Sequence, residues 1–213
     1  MKIYYVVYIK GEVVADCLNA ILCLIKPEVK HPAHITIRGP YTQEINIEPF
    51  NTQARQIPII LDGIGRFTNS EQHAVFLACN APQLKNIWWK PDYSFVPHVT
   101  LYNGTSQEQA DEISNIANQY AYRLCLKVRK LEPLIIGRER RHLRQVNFDE
   151  NKISAITQGH FSRETIPILS HHQRLNAIDM ILQHLSHISN IYPHDIIKLT
   201  WKHWEKFGKV KYK

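Results

Sequence analysis

Long apolar runs are missing from this 213-residue chain, and no stretch would serve as a membrane-spanning helix. The N-terminal Met1-Lys2-Ile3-Tyr4-Tyr5-Val6-Val7-Tyr8-Ile9-Lys10 is apolar but short, and it lacks a small-residue cleavage site. Its aromatic and β-branched content reads as a first strand, not as a signal peptide. No glycine-rich phosphate loop occurs, which argues against a kinase, an NTPase or a dinucleotide site. Cysteine is scarce, with Cys17, Cys23, Cys79 and Cys125 in no close-paired spacing. That pattern reads as buried free thiols in a reducing, cytoplasmic compartment. Histidines crowd the C-terminal region, among them His171, His172, His184, His187 and His194, yet no cysteine pair or His-Glu motif accompanies them. No metal site is therefore expected. Acidic residues are in deficit, 19 against 26 Lys and Arg, giving a formal charge of +7. An anionic partner such as RNA, an oligonucleotide or a nucleotide fits that balance.

What is present is a repeated tetrad: His34-Ile35-Thr36-Ile37 and His98-Val99-Thr100-Leu101. With 12 His and 44% apolar residues in the chain, roughly 0.1 such matches are expected by composition. In an extended strand alternate side chains share a face, so each His projects beside its Thr. Two such pairs face to face would bring two imidazoles and two hydroxyls to one centre. In-line attack on a phosphodiester needs that set. One imidazole takes a proton from the nucleophile, and the other gives one to the leaving oxygen. The hydroxyls donate to the non-bridging oxygens. The plainer reading makes both His ordinary half-buried strand residues.

The tetrads resemble the paired His-x-Thr/Ser-x signature of the two-histidine (2H) phosphoesterase superfamily, in which x is apolar. The superfamily includes RNA cyclic phosphodiesterases, RNA end-processing enzymes and nucleases of 2′,5′-linked oligonucleotides. Phe95-Val96-Pro97-His98-Val99-Thr100-Leu101 is the closer match, with the Pro typical of members before the His. Ala33-His34-Ile35-Thr36-Ile37-Arg38-Gly39 also fits. The strand Ile57 to Phe67 carries Gly65-Arg66-Phe67, similar to the Gly-x-Phe strand often found between the motifs. The resemblance covers about residues 1–135. It implies a two-lobed α+β fold with antiparallel sheets lining a central cleft, and catalysis without a metal or other cofactor.

The chain pattern predicts a strand over residues 2–9, then a helix over 12–25 with an apolar stripe from Val14 to Ile25 that Pro27 stops. The motif strand from His34 ends at Gly39-Pro40, and a polar stretch follows to about Gln56. Strands follow at 57–67 and 73–80. Residues 81–94 form a loop or short helix, and the second motif strand spans 96–102. Ser106 to Gln109 is a capping box that opens a helix to about Tyr120, and 122–130 is a further strand. After about residue 135 the character changes. Arg138, Arg140, Arg141 and Arg144 form a basic run, either a solvated segment or a patch that tracks phosphates. A second capping box, Ser170 to Gln173, opens a helix with Leu175, Ile178, Ile181, Leu182, Leu185 and Ile188 on one face. Beyond Pro193 another helix carries Ile197, Trp201 and Trp204, and Gly208 ends it. The division expected is a catalytic domain over 1–135, then a basic linker and helical extension over 136–213. Those helices pack on the catalytic domain or each other, or else dock a partner.

His34 and His98 are the expected acid–base pair, and the sequence does not say which is which. Thr36 and Thr100 are the phosphate donors. Strand alternation extends each active face to Arg38, as a phosphate holder, and to Tyr102, as a stacking platform. Phe67, Trp88 and Trp89 are further stacking candidates. The leading expectation is a metal-independent phosphodiesterase of RNA, oligonucleotides or cyclic nucleotides. The alternative is a non-catalytic module that binds a phosphate or RNA end, its C-terminal helix pair docking a protein partner.

Overall fold

The computed structural model describes residues 1–10, 12–55, 57–69, 71–90, 94–127, 130–137, 146–159 and 161–191. The basic run from Arg138 to Arg144, His194 and the helix expected beyond Pro193 lie outside those residues.

In chain order the elements are β1 (Lys2–Tyr8), α1 (Glu12–Ile25), β2 (His34–Tyr41), α2 (Glu48–Ala54), β3 (Pro58–Thr68), β4 (His73–Asn80), β5 (His98–Gly104), α3 (Gln107–Ala117), β6 (Leu124–Lys127), β7 (Glu132–Ile136), α4 (Glu150–Thr157) and α5 (His171–Ile191). Among the described residues, five α-helices accompany a curled antiparallel sheet of seven strands, ordered β6-β3-β4-β5-β2-β1-β7. The strands thus join in one sheet rather than in separate ones. Its halves meet where β2 and β5 pair through one register point, Ile35 opposite Val99. On one face lies the main core, where Ile35, Ile37, Val99 and Leu101 of the two motif strands are all buried beneath the helices. His34, Thr36, His98 and Thr100 project to the other face.

Both Ser residues cap helices at their expected places, but only the second box is reciprocal, since Ser106 N donates to Tyr102 Oη at 3.1 Å instead of to Gln109. Ser106 Oγ accepts from Gln109 N at 3.2 Å. Ser170 Oγ accepts from Gln173 N at 3.2 Å, and Gln173 Oε1 accepts from Ser170 N at 2.9 Å. The helix after Ser106 stops at Ala117, short of Tyr120. Two other expectations need correction. The first motif strand does not end at Gly39-Pro40 but runs on, so that Tyr41 pairs with Ile3. The polar stretch before Gln56 holds α2, which Pro49 starts and in which Asn51 and Ala54 are buried. Asn51 Oδ1 accepts from Leu131 N at 2.7 Å, a structural use of a polar side chain. Past Leu131 the chain makes β7, an edge strand on β1 that tolerates Pro133. Its buried Glu132 pairs with Lys10 at 2.7 Å.

The segment from Val146 onward joins the same core as the strands, through Val146, Phe148, Ile153, Phe161, Ile166 and the buried stripe of α5. Tyr120 Oη donates to Asp179 at 2.6 Å, and Ser186 Oγ to the Ala121 carbonyl at 2.7 Å. All four cysteines are free thiols, Cys17 and Cys23 buried and Cys79 and Cys125 half-buried. Among the described residues no helix is long and apolar enough to cross a membrane.

Candidate active site at the seam between the motif strands

The register of Ile35 on Val99 sets His34 across from Thr100, and Thr36 across from His98, one step to either side. Each imidazole therefore faces the other motif's hydroxyl. The strands are not paired further, and the open face beside the seam carries two clefts, of about 570 and 310 Å3. The larger is lined by His34, Thr36 and Thr100, the smaller by His98 and Thr100. Thr100 and Asn103 line both.

The two imidazoles are held alike. His34 Nδ1 lies 2.7 Å from the Pro32 carbonyl, and His98 Nδ1 lies 2.7 Å from the Val96 carbonyl. A carbonyl oxygen only accepts, so each Nδ1 carries the proton and each Nε2 is left for chemistry. A carbonyl two residues back also fixes the ring orientation, as such a partner does in many histidine sites. Tyr8 packs edge-on against His34 at 5.8 Å. Phe76 and Phe67 flank His98 at 4.6 and 5.4 Å. Burial pushes His34 down to about 4, against its bond to Pro32, with His31, His98 and Lys90 adding like charge. Burial also lowers His98, opposed by its bond to Val96 and helped by Lys90. Near neutral pH both rings are uncharged in the free protein, with Nε2 lone pairs available.

Lys90 is the site residue that sequence reasoning missed. The segment around Trp89 adds to the edge of β2: Trp89 N donates to the Ile37 carbonyl at 3.2 Å, and Gly39 N to the Trp89 carbonyl at 2.9 Å. With Trp89 aligned on Arg38, alternation turns Trp88 and Lys90 to the open face. Lys90 lines the smaller cleft, and its charge reaches both imidazoles. A single bridging residue leaves no periodic pattern in the sequence, so nothing there singled out this lysine.

Thr36 and Thr100 stand beside the imidazoles, and among the described residues neither hydroxyl has a protein hydrogen-bond partner. The Arg38 and Tyr102 side chains leave that row for one shared reason, although Tyr102 still borders the larger cleft. Each motif strand carries a one-residue bulge just after its threonine. Val6 pairs with Thr36 but Tyr5 with Arg38, and Phe76 pairs with Thr100 but Val75 with Tyr102. The extra residue cancels the alternation. Arg38 turns away, donating to Tyr41 Oη at 3.0 Å and to the Ile87 carbonyl at 2.7 Å, over the Phe50 ring. Tyr102 enters the helix-side cluster with Val75, Ala110 and Ile113, only 4% exposed, and its Oη is bonded to Ser106.

Phe67 is on the open face beside His98 and is 42% exposed. Trp88 is half-buried, edge-on to Phe95 at 5.2 Å, with the Lys90 Nζ 5.3 Å from its ring centre. It serves as a support for Lys90 more than as a free platform. Trp89 faces the other way, stacked on Tyr41 at 4.6 Å. Among the described residues no three His, Cys, Asp or Glu side chains gather as a metal-ligating group. No family model, curated protein or solved structure matches the chain.

Proposed function

We propose that the chain is a phosphodiesterase of the two-histidine kind, acting on RNA, oligonucleotides or cyclic (oligo)nucleotides and needing no metal or other cofactor. The observation that carries this reading is the matched treatment of His34 and His98. Two rings, each with Nδ1 committed to the carbonyl two residues back, each faced by the other motif's free threonine hydroxyl, make an acid–base pair around one small centre. The two-lobed 2H arrangement belongs to the same reading, each motif strand and its antiparallel partner forming one half.

In the reaction proposed, a phosphate lies across the seam. The unprotonated Nε2 of one imidazole accepts the proton of the attacking hydroxyl, whether of water or of the adjacent ribose. The O–P bond to the nucleophile forms, and the bond to the leaving oxygen breaks. The second imidazole, protonated, gives its Nε2 proton to that oxygen. Thr36, Thr100 and the Lys90 ammonium donate to the non-bridging oxygens as negative charge builds there. An anionic phosphate between the rings favours their charged forms, so substrate supplies part of the protonation that burial withholds.

The test is a panel of 2′,3′-cyclic nucleotides, 2′,5′- and 3′,5′-linked oligonucleotides and cyclic dinucleotides, assayed in EDTA with products read by mass spectrometry. Turnover should survive EDTA, and His34→Ala or His98→Ala should each reduce it by roughly 10²–10⁴-fold while the fold persists by circular dichroism. Near-native activity in either folded variant would defeat the assignment.

A further inference from the structure

The smaller cleft has the layout of a nucleobase pocket. Across β3, β4 and β5 the register aligns Phe67 with Ala74, and Ala74 with Asn103, in one row on the open face. The next row toward the seam aligns Gly65, Phe76 and Thr100. Ala74 is the smallest side chain between two larger ones, so the first row is a trough two strand spacings wide with a methyl floor. One wall is aromatic: Phe67 is exposed and leans on Phe76, ring centres 4.6 Å apart. The other wall is an amide pair, in which Gln72 Nε2 donates to Asn103 Oδ1 at 2.7 Å. That bond leaves the Asn103 amino group and the Gln72 carbonyl oxygen side by side, a donor next to an acceptor. Gln72 is itself fixed, because Asn69 Oδ1 accepts its backbone N–H at 2.7 Å. The volume of about 310 Å3 suits one planar ring system.

We infer that this pocket, between Phe67 and the Gln72–Asn103 amide pair over Ala74, holds one nucleobase of the substrate on the His98 side of the reacting phosphate. The inference rests on the phosphodiesterase reading above. Every nucleobase offers a flat π face and an edge with neighbouring donor and acceptor atoms. The face meets Phe67 and the edge meets the amides. The sugar attached to that base then lies over Thr100, which the pocket shares with the larger cleft, and the phosphate falls between the imidazoles. The larger cleft, about 570 Å3 on the far side of Thr100, is left for the group on the other side of the phosphate. The substrate so described is a diester between two nucleosides, linear or cyclic.

The experiment uses the full chain and diadenosine monophosphates, 3′,5′- and 2′,5′-linked, each also made with one or the other adenine replaced by hydrogen. Base stacking contributes about 1–3 kcal/mol per base. For one of the two positions, loss of the adenine should therefore lower kcat/KM by about tenfold. In Ala74→Leu, which fills the floor, and in Asn103→Ala, which removes half the amide wall, that ratio should fall toward one. Equilibrium binding of the 2′-deoxy diadenosine monophosphate, which lacks the attacking hydroxyl, should show the same dependence on the base. A ratio near one in the native protein at both positions, or one that both variants leave intact, overturns the pocket. Base-dependent binding of the deoxy compound without turnover of any diester overturns the catalytic reading and upholds the pocket.

Discussion

At the scale of single residues, the environment of the two imidazoles fixes how the protein should respond to acid. His34 titrates near 4 in the folded chain, below the ordinary value of 6.5, chiefly through burial. Between those values an unfolded chain holds a proton that the folded one does not. Stability therefore falls as the pH drops from 6.5 toward 4, and it is unaffected by this group above 6.5. Activity carries a second signature. In the proposed reaction the productive form has one proton on the pair, and it is most populated between the pair's two apparent pKa values. Both rings are lowered, so kcat/KM for a phosphodiester should peak below pH 6.5. The shape is the same whichever ring is the base. Because bound phosphate favours the charged rings, the kcat profile should peak at higher pH than kcat/KM. A pH series from 4 to 8 checks both, and a kcat/KM optimum above pH 7.5 would contradict the site as described.

At the scale of elements, the strands and helices were legible where period and capping agree. Residues 12–25 showed a clean stripe and form α1, and both Ser-x-x-Gln boxes open helices. The motif residues were legible because an alternation of two needs only local extension. What could not be read were the interruptions. No residue type announces a bulge after Thr36 or Thr100, yet each bulge removes a residue, Arg38 or Tyr102, from the face that alternation assigns it. α2 and β7 were hidden for a related reason. Their buried polar residues, Asn51 and Glu132, take partners distant in sequence, Leu131 and Lys10. One glycine shows how closely an element's fit governs the site. A Cβ at Gly65 would overlap the Phe76 ring, and Phe76 packs against His98. Gly65→Ala should cost about 1–3 kcal/mol and lower turnover through His98. Gly63, at φ +83 with nothing within 4 Å of such a Cβ, is the comparison. Gly63→Ala should cost about 1–2 kcal/mol in backbone strain without disturbing Phe76. Urea melts and turnover on the two variants separate the effects. Equal loss of activity at equal stability would show that Phe76 does not transmit the change.

At the scale of the whole molecule, the open face carries the candidate site and the opposite face holds it in place. The buried Ile35 and Val99 at the seam sit in one core with Ala177, Ile178, Ile181, Leu182 and Leu185 of α5, all 2% exposed or less. Backbone and side-chain bonds tie the two stretches of chain together: Asn19 Nδ2 donates to the Asn147 carbonyl at 2.8 Å, and Asp16 accepts from Asp149 N at 3.1 Å. Burying one Leu or Ile contributes about 1.5–3 kcal/mol. The four large aliphatics of α5 thus contribute on the order of 6–12 kcal/mol, as much as the net stability of most domains, about 5–15 kcal/mol. A chain ending at residue 149 should therefore lose cooperative unfolding and expose apolar surface, even though both histidine motifs remain. A milder change isolates the same support. Leu182→Ala should cost about 2–5 kcal/mol while kcat, measured well below the melting temperature, stays near native, since Leu182 is buried in the main core and lines neither cleft. If the truncated chain instead melts cooperatively and turns over small diesters, the strands and α1 through α3 suffice for the fold. The helices after residue 149 would then be a separate element that delivers substrate or binds a partner.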